Sequence, residues 1–324
     1  MIFGGTGYIG IRLARYLRER GWSRVLLADI RPPSEELPVG VDHIHCDVRQ
    51  PIAQQIDILT ADWIFNFAAV HREPGHHFKE YFDTNLPGAK NVCAYADLIG
   101  CRNLLFTSSI AVYGKITQPT DESFTPYPET GYGISKFCSE LIHAAWQQQG
   151  HLRRLIIVRP GVVYGPRDPG NMLRMIRALQ KGIFIMPGDG MVRKSYAYIY
   201  GLIESMEFMM ERPESYLCYN YVEKNTETLT ELVRHACMTL GLRPPRLRVP
   251  KGVLIAIARL AQITTMGHSP IHPVRVKKAA MSTHIVPANL IRLGFDFRYN
   301  FEQSLHHWMD VEPQDFLPRS PITR

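Results

Sequence analysis

Along the first half of the chain, short apolar runs rich in β-branched residues alternate with longer stretches of helical periodicity. Residues 25–29, 44–47, 63–68, 103–108 and 155–160 read as strands. Their near-continuous apolar character is what a sheet covered by helices on both faces requires. Helical patterns fill most of the gaps, notably to about Arg20 and over 78–97 and 132–149. This alternation predicts βαβ units and an α/β fold, a doubly wound parallel sheet of the Rossmann type over residues 1–166.

From 167 to 324 the pattern changes. Proline breaks at 166–169, 244–245 and 270–273 separate helical stretches at 172–180, 229–240 and 251–264. A smaller C-terminal substrate domain is expected there, with some segments returning to the sheet. Residues after Val311 are expected to form a loosely held tail. Only Met1, Ile2 and Phe3 precede the first glycine, a short first strand that suggests residues missing upstream.

Composition narrows the class. The chain has 324 residues, 45% of them hydrophobic, which excludes disorder as the main state. Its longest apolar run, 253–258, stops at Arg259, far short of the roughly 20 residues needed to cross a bilayer, and no secretory leader is visible. A cytoplasmic protein with no membrane partner is expected. Six cysteines form no CxxC pair and read as reduced core thiols. The net charge of +7 reads as scattered, so a small anionic substrate is expected rather than nucleic acid. The histidines of 71–77 are interrupted by Pro74 and Gly75, and no metal is expected.

Gly4-Gly5-Thr6-Gly7-Tyr8-Ile9-Gly10 joins the first strand to a helix. Glycines at this spacing permit a tight turn, a backbone that approaches a pyrophosphate, and close helix–sheet contact, with helix N-terminal amides facing the phosphates. Asp29, 19 residues after Gly10, ends the second strand where a carboxylate can accept both ribose hydroxyls of NAD and repel a 2′-phosphate. Arg31 leaves a second reading open, because an arginine just beyond the strand can cradle NADP.

Tyr132 and Lys136 stand one helical turn apart, so the ammonium can favour the phenolate of its neighbour. Ser109 follows the apolar run 104–106, at the sheet edge where doubly wound folds bind ligands. It can share a proton with Tyr132 and a substrate hydroxyl.

These elements, with Asp47-Val48, the Asn66–Ala69 run, Asn85, Ser108–Gly114 and Arg159–Pro166, come in the order and approximate spacing of the extended short-chain dehydrogenase/reductases. Within them the chain most resembles the NAD-dependent epimerase/dehydratase group acting on nucleotide sugars. The resemblance implies that Gly4, Gly7 and Gly10, with Tyr8 and Ile9 in the same turn, hold the pyrophosphate of NAD. Asp29 would hold the adenosine ribose, Asp47 and Val48 the adenine, and Ala68 would line the cleft. It implies Tyr132 as general acid/base, Lys136 on the nicotinamide ribose, and Ser109 orienting the reacting hydroxyl. Arg193, after the turn Pro187-Gly188-Asp189-Gly190, would bind a substrate diphosphate, and the helices at 78–97 and 132–149 would build a homodimer seam. Asp47, Asn66, Asn85, Tyr113 and Tyr164 also have purely structural readings.

Two departures bear on the reaction. Dehydratases of this family carry an acidic pair after the catalytic Ser/Thr, whereas Ile110 and Ala111 follow Ser109. Val162 stands where many members have a substrate-contacting asparagine. The expectation is an NAD-dependent C4 epimerase of a nucleotide-diphosphate hexose, as used in polysaccharide biosynthesis. Rivals are a 4-ketosugar reductase, a hydroxysteroid-type dehydrogenase and a non-catalytic NAD-sensing regulator.

Overall fold

A computed structural model describes residues 1–57, 60–71, 75–168, 170–264 and 281–317. The strands β1 (Ile2–Phe3), β2 (Val25–Asp29), β3 (Val41–His45), β4 (Ile64–Asn66), β5 (Asn103–Thr107), β6 (Arg154–Pro160) and β10 (Tyr216–Tyr221) form one sheet in the order β10-β6-β5-β4-β1-β2-β3. Every pairing in it is parallel. Strand order reverses between β1 and β4, which opens a crevice at their carboxyl ends.

Helices α1 (Tyr8–Glu19), α2 (Phe78–Leu98), α3 (Gly131–Gln148) and α5 (Ile199–Met210) cover the sheet. Between them the central strands are sealed: all five residues of β2 are buried, as are Leu155 to Val158 of β6. Smaller pieces make up the second part: β7 (Val162–Tyr164) paired with β9 (Tyr196–Tyr198), β8 (Met186–Pro187) paired with β11 (Arg248–Val249), and helices α4 (Asn171–Gln180), α6 (Leu229–Thr239), α7 (Lys251–Thr264), α8 (Ala288–Arg292) and α9 (Phe301–Val311).

Two expectations change. The third strand is Val41–His45 and not 44–47; as the edge strand it keeps polar Asp42 and His45 exposed, so its apolar signal is weak, and Asp47 lies beyond the sheet. The end of the chain is packed as far as it is described. A 3-10 turn, Pro313–Phe316, follows α9, the Trp308 indole donates to Asp315 at 2.8 Å, and Phe316 meets the Trp308 ring edge-on. Residues 318–324 and the 270–273 proline break lie outside the described residues. The six cysteines are free thiols. No helix among the described residues is long and apolar enough to cross a membrane.

Candidate active site

The glycine turn lies in the crevice between β1 and β4. Gly4 has φ +70°, and a Cβ there would stand 2.6 Å from the Ala68 amide nitrogen. A side chain is therefore excluded by conformation and by space. Gly10 makes the close helix contact that the spacing predicts: its Cβ would lie 2.4 Å from the Gly5 carbonyl oxygen, so it lets α1 press against the turn. Gly5, not singled out from the spacing, is equally confined by Ile2 and Leu27. Gly7 begins α1 without a side-chain cap, and no acid occupies the first turn, which leaves that end electropositive for phosphate beside Tyr8 and Ile9. Below it the Tyr8 ring carries the Arg12 guanidinium at 4.1 Å.

Asp29 is buried and held from two sides, accepting from the Thr6 amide at 3.2 Å and the Arg31 amide at 3.1 Å. A carboxylate has about four lone-pair directions, so acceptor capacity remains for a ribose. The exposed Arg31 guanidinium stands 4.0 Å away. Asp47 is clasped by Arg49 at 2.6 Å, which pulls its carboxyl below the usual range, and its backbone is bonded by Gln55. It presents a fixed turn more than a free carboxylate, beside buried Val48.

Ser109 caps a 3-10 turn, Ile110–Tyr113, by accepting from the Ala111 amide at 3.1 Å, and its hydroxyl lies near enough to favour the Tyr132 phenolate. The start of α3 is pressed onto that turn: a Cβ at Gly133 would lie 2.5 Å from the Ala111 carbonyl oxygen. Glycine at 133 thus lets the start of α3, which carries Tyr132, close on the Ser109 turn. One turn on, buried Lys136 donates to the Thr107 carbonyl at 2.6 Å, with its ammonium 4.5 Å above the Phe106 ring. Burial pushes the half-buried Tyr132 phenol up to about 12, against the opposing influence of Ser109, and pulls Lys136 down to about 7. In the protein alone, desolvation outweighs the ammonium's expected hold on the phenolate.

Several other residues take structural partners. Asn85 brackets Val70 through its amide and carbonyl and donates to Ser135 at 2.9 Å. Tyr113 donates to Asn220 and accepts from Arg159, whose guanidinium grips Glu140 at 2.6 and 2.9 Å. Tyr164 is fully buried and bonded to Glu223, a carboxyl that burial pushes up to about 8. Arg193 is exposed, and its guanidinium rests on the Thr226 carbonyl. Pairing alone did not reveal His143: it is buried, stacked on Phe106 at 4.3 Å, with its ring nitrogens on the Ser139 carbonyl and the Asn66 amide. No group of three or more metal-ligating side chains is gathered among the described residues.

The sites fit a dinucleotide. The Gly4 cradle and uncapped α1 lie at one end of the crevice, while Asn66 Oδ1, Thr107 Oγ1 and Ser108 Oγ are buried without partners at the ends of β4 and β5. The model of the NAD dependent epimerase/dehydratase family matches residues 1–221. The chain belongs to that family. It is an NAD-dependent enzyme of the extended short-chain dehydrogenase type, as Ser109, Tyr132 and Lys136 together imply.

Among relatives of this epimerase-family chain, an Escherichia coli O157:H7 protein named N-acetyl-alpha-D-glucosaminyl-diphospho-ditrans,octacis-undecaprenol 4-epimerase is 28% identical over 318 residues, covering 96% of this chain and 94% of its own. Short-chain dehydrogenase/reductase family 42E member 1 of Xenopus laevis is 26% identical over 98% of this chain and 85% of its own. Among solved structures, MoeE5 in complex with UDP-glucose and NAD superposes with TM-score 0.75 at 22% identity, covering 98% of this chain and 99% of its own. UDP-N-acetylglucosamine 4-epimerase from Bacillus cereus superposes with TM-score 0.74 at 16% identity, covering 99% and 97%. At such identities these structures establish the shared fold.

Proposed function

We propose that the protein epimerises a diphosphate-activated hexose at C4 through a 4-keto intermediate. The observation that carries this reading is the placement of Ser109, Tyr132 and buried Lys136 together at the carboxyl edge of β5, where the Lys136 ammonium donates to the Thr107 carbonyl at 2.6 Å and Ser109 favours the Tyr132 phenolate. NAD, when bound, supplies an acceptor for hydride and returns it. Tyr132 takes the proton of the sugar hydroxyl, Ser109 holds that hydroxyl against the phenol, and Lys136 positions the ribose and stabilises negative charge nearby. After the keto sugar turns to present its other face for the returning hydride, Tyr132 gives the proton back to the C4 oxygen.

Removal of water is disfavoured. Ile110 is buried and Ala111 gives its amide to Ser109, so neither supplies the acid–base pair a dehydratase needs. A 4-ketosugar reductase would use the same three residues and differ by releasing cofactor at every turnover. A pure NAD sensor needs no Ser109–Tyr132 pair. Hydroxysteroid oxidation is the weaker rival, since nothing beyond apolar Val162 and α7 favours it.

A nucleotide is the first reading for the diphosphate carrier. A polyprenol is the second, favoured by the substrate in the E. coli relative's name and by Val162, which offers no amide to the usual sugar-nucleotide contact. Arg193 is proposed to meet the diphosphate after leaving Thr226. Two copies are proposed to pair through α2 and α3, whose Phe78, Leu98 and Leu141 are exposed, in a cytoplasmic homodimer. Tyr132→Phe tests the chemistry: NAD binding persists while turnover falls on the order of 10²–10⁴-fold. Near-normal turnover in a folded Tyr132→Phe would remove the mechanism.

A further inference from the structure

Large aliphatic side chains stand exposed along one ribbon and the helix that follows it. Pairing of Met186 with Arg248 sets Ile185 beside Leu247, and the Met186 amide donates to the Leu247 carbonyl at 3.0 Å. Ile185 and Leu247 are 40% and 57% exposed, and Ile183 is 67% exposed. Pro250 ends the ribbon and accepts from the Leu254 amide at 3.1 Å as α7 begins. Val253 and Ile257, one turn apart on α7, are 48% and 50% exposed. Five such side chains so close along the chain exceed the scattered apolar residues of an ordinary surface.

Charge singles out the same region. Between Glu231 and Asp296 the sequence has no Asp or Glu and ten Arg or Lys, so the chain's positive excess of +7 is concentrated here and not evenly scattered. Arg243, Arg246, Arg248 and Arg259 are all exposed around the ribbon and α7. Asp189 lies close by in sequence, but its carboxylate accepts from the Met191 amide of its own turn at 3.0 Å. Two copies meeting through this face would oppose like charges, which disfavours a second chain as its occupant.

We propose that the β8–β11 ribbon and α7 dock the enzyme on an anionic bilayer surface. Aliphatic side chains enter the boundary between headgroups and acyl chains, while the guanidinium groups meet lipid phosphates. At 14 residues α7 is about 21 Å long and lies on a bilayer without crossing it. The lack of a spanning segment therefore does not carry the expectation of no membrane contact. Docking would bring the crevice to a hexose whose diphosphate is anchored in the bilayer, the second carrier above. That consequence rests on the proposed reaction; the docking itself is read without turnover.

The test is co-sedimentation of the full chain with vesicles of equal parts phosphatidylglycerol and phosphatidylcholine, against phosphatidylcholine alone. The expected result is at least tenfold stronger partition onto the anionic vesicles. Val253→Asp combined with Ile257→Asp should cut it about tenfold or more, and Arg246→Ser with Arg248→Ser should cut the anionic preference about fivefold per charge. NAD titration confirms that each variant is folded. Absence of sedimentation, equal binding to both vesicles, or unchanged partition in both variants would overturn docking. Epimerisation of a soluble nucleotide sugar is measured separately, so failure of the reaction is distinguishable from failure of docking.

Discussion

The Lys136 ammonium donates to the Thr107 carbonyl at 2.6 Å, so this lysine ties α3 to the end of β5. Burial drives Lys136 down to about 7, while Glu140, one turn further on, opposes that shift. Lys136→Met removes the cation and leaves the Thr107 carbonyl without this donor. NAD affinity is expected to weaken at least tenfold and turnover to fall on the order of 10²-fold. NAD titration and steady-state rates check this, and unchanged NAD affinity would show that Lys136 does not reach the ribose.

Asp29 is proposed to set cofactor choice. A 2′-phosphate would face a buried carboxylate already fixed by the Thr6 and Arg31 amides, so NAD should bind at least tenfold more tightly than NADP. Asp29→Asn should narrow that ratio. Titrating both cofactors decides it; equal or tighter NADP binding in the natural chain would give the pocket to Arg31.

His143 gives the fold an acid limit. Burial lowers its pKa to about 4 from the ordinary 6.5, so the unfolded chain takes up this proton before the folded one does. The stability involved is present above pH 6.5 and lost as pH falls through about 4, on the order of 3 kcal/mol. Urea midpoints measured between pH 7 and 4 should drop less steeply in His143→Gln than in the natural chain. Equal slopes would mean that other groups carry the acid response.

Much of this was legible in the sequence because it is local. The glycine turn, Asp29 and the Tyr132–Lys136 pair announce themselves by spacing, and Ser109 by its place at the end of a buried strand. What was not legible depends on tertiary contact. The steric demand at Gly133 comes from facing backbone, and His143 meets Asn66 across 77 residues. Edge strand β3 hid in a half-polar pattern, and Asp315 holds the end of the chain through Trp308 in a segment whose composition suggested a tail.

Hydride is expected to return to the sugar it came from, and a single assay decides whether it does. The purified enzyme is incubated with UDP- and GDP-hexoses and NAD while sugar configuration and the absorbance of reduced nicotinamide are followed together. Interconversion of C4 epimers with no lasting change in absorbance is expected. Stoichiometric consumption of added NADH against a 4-keto sugar, with no epimer formed from ordinary hexoses, would contradict it and make the enzyme a reductase.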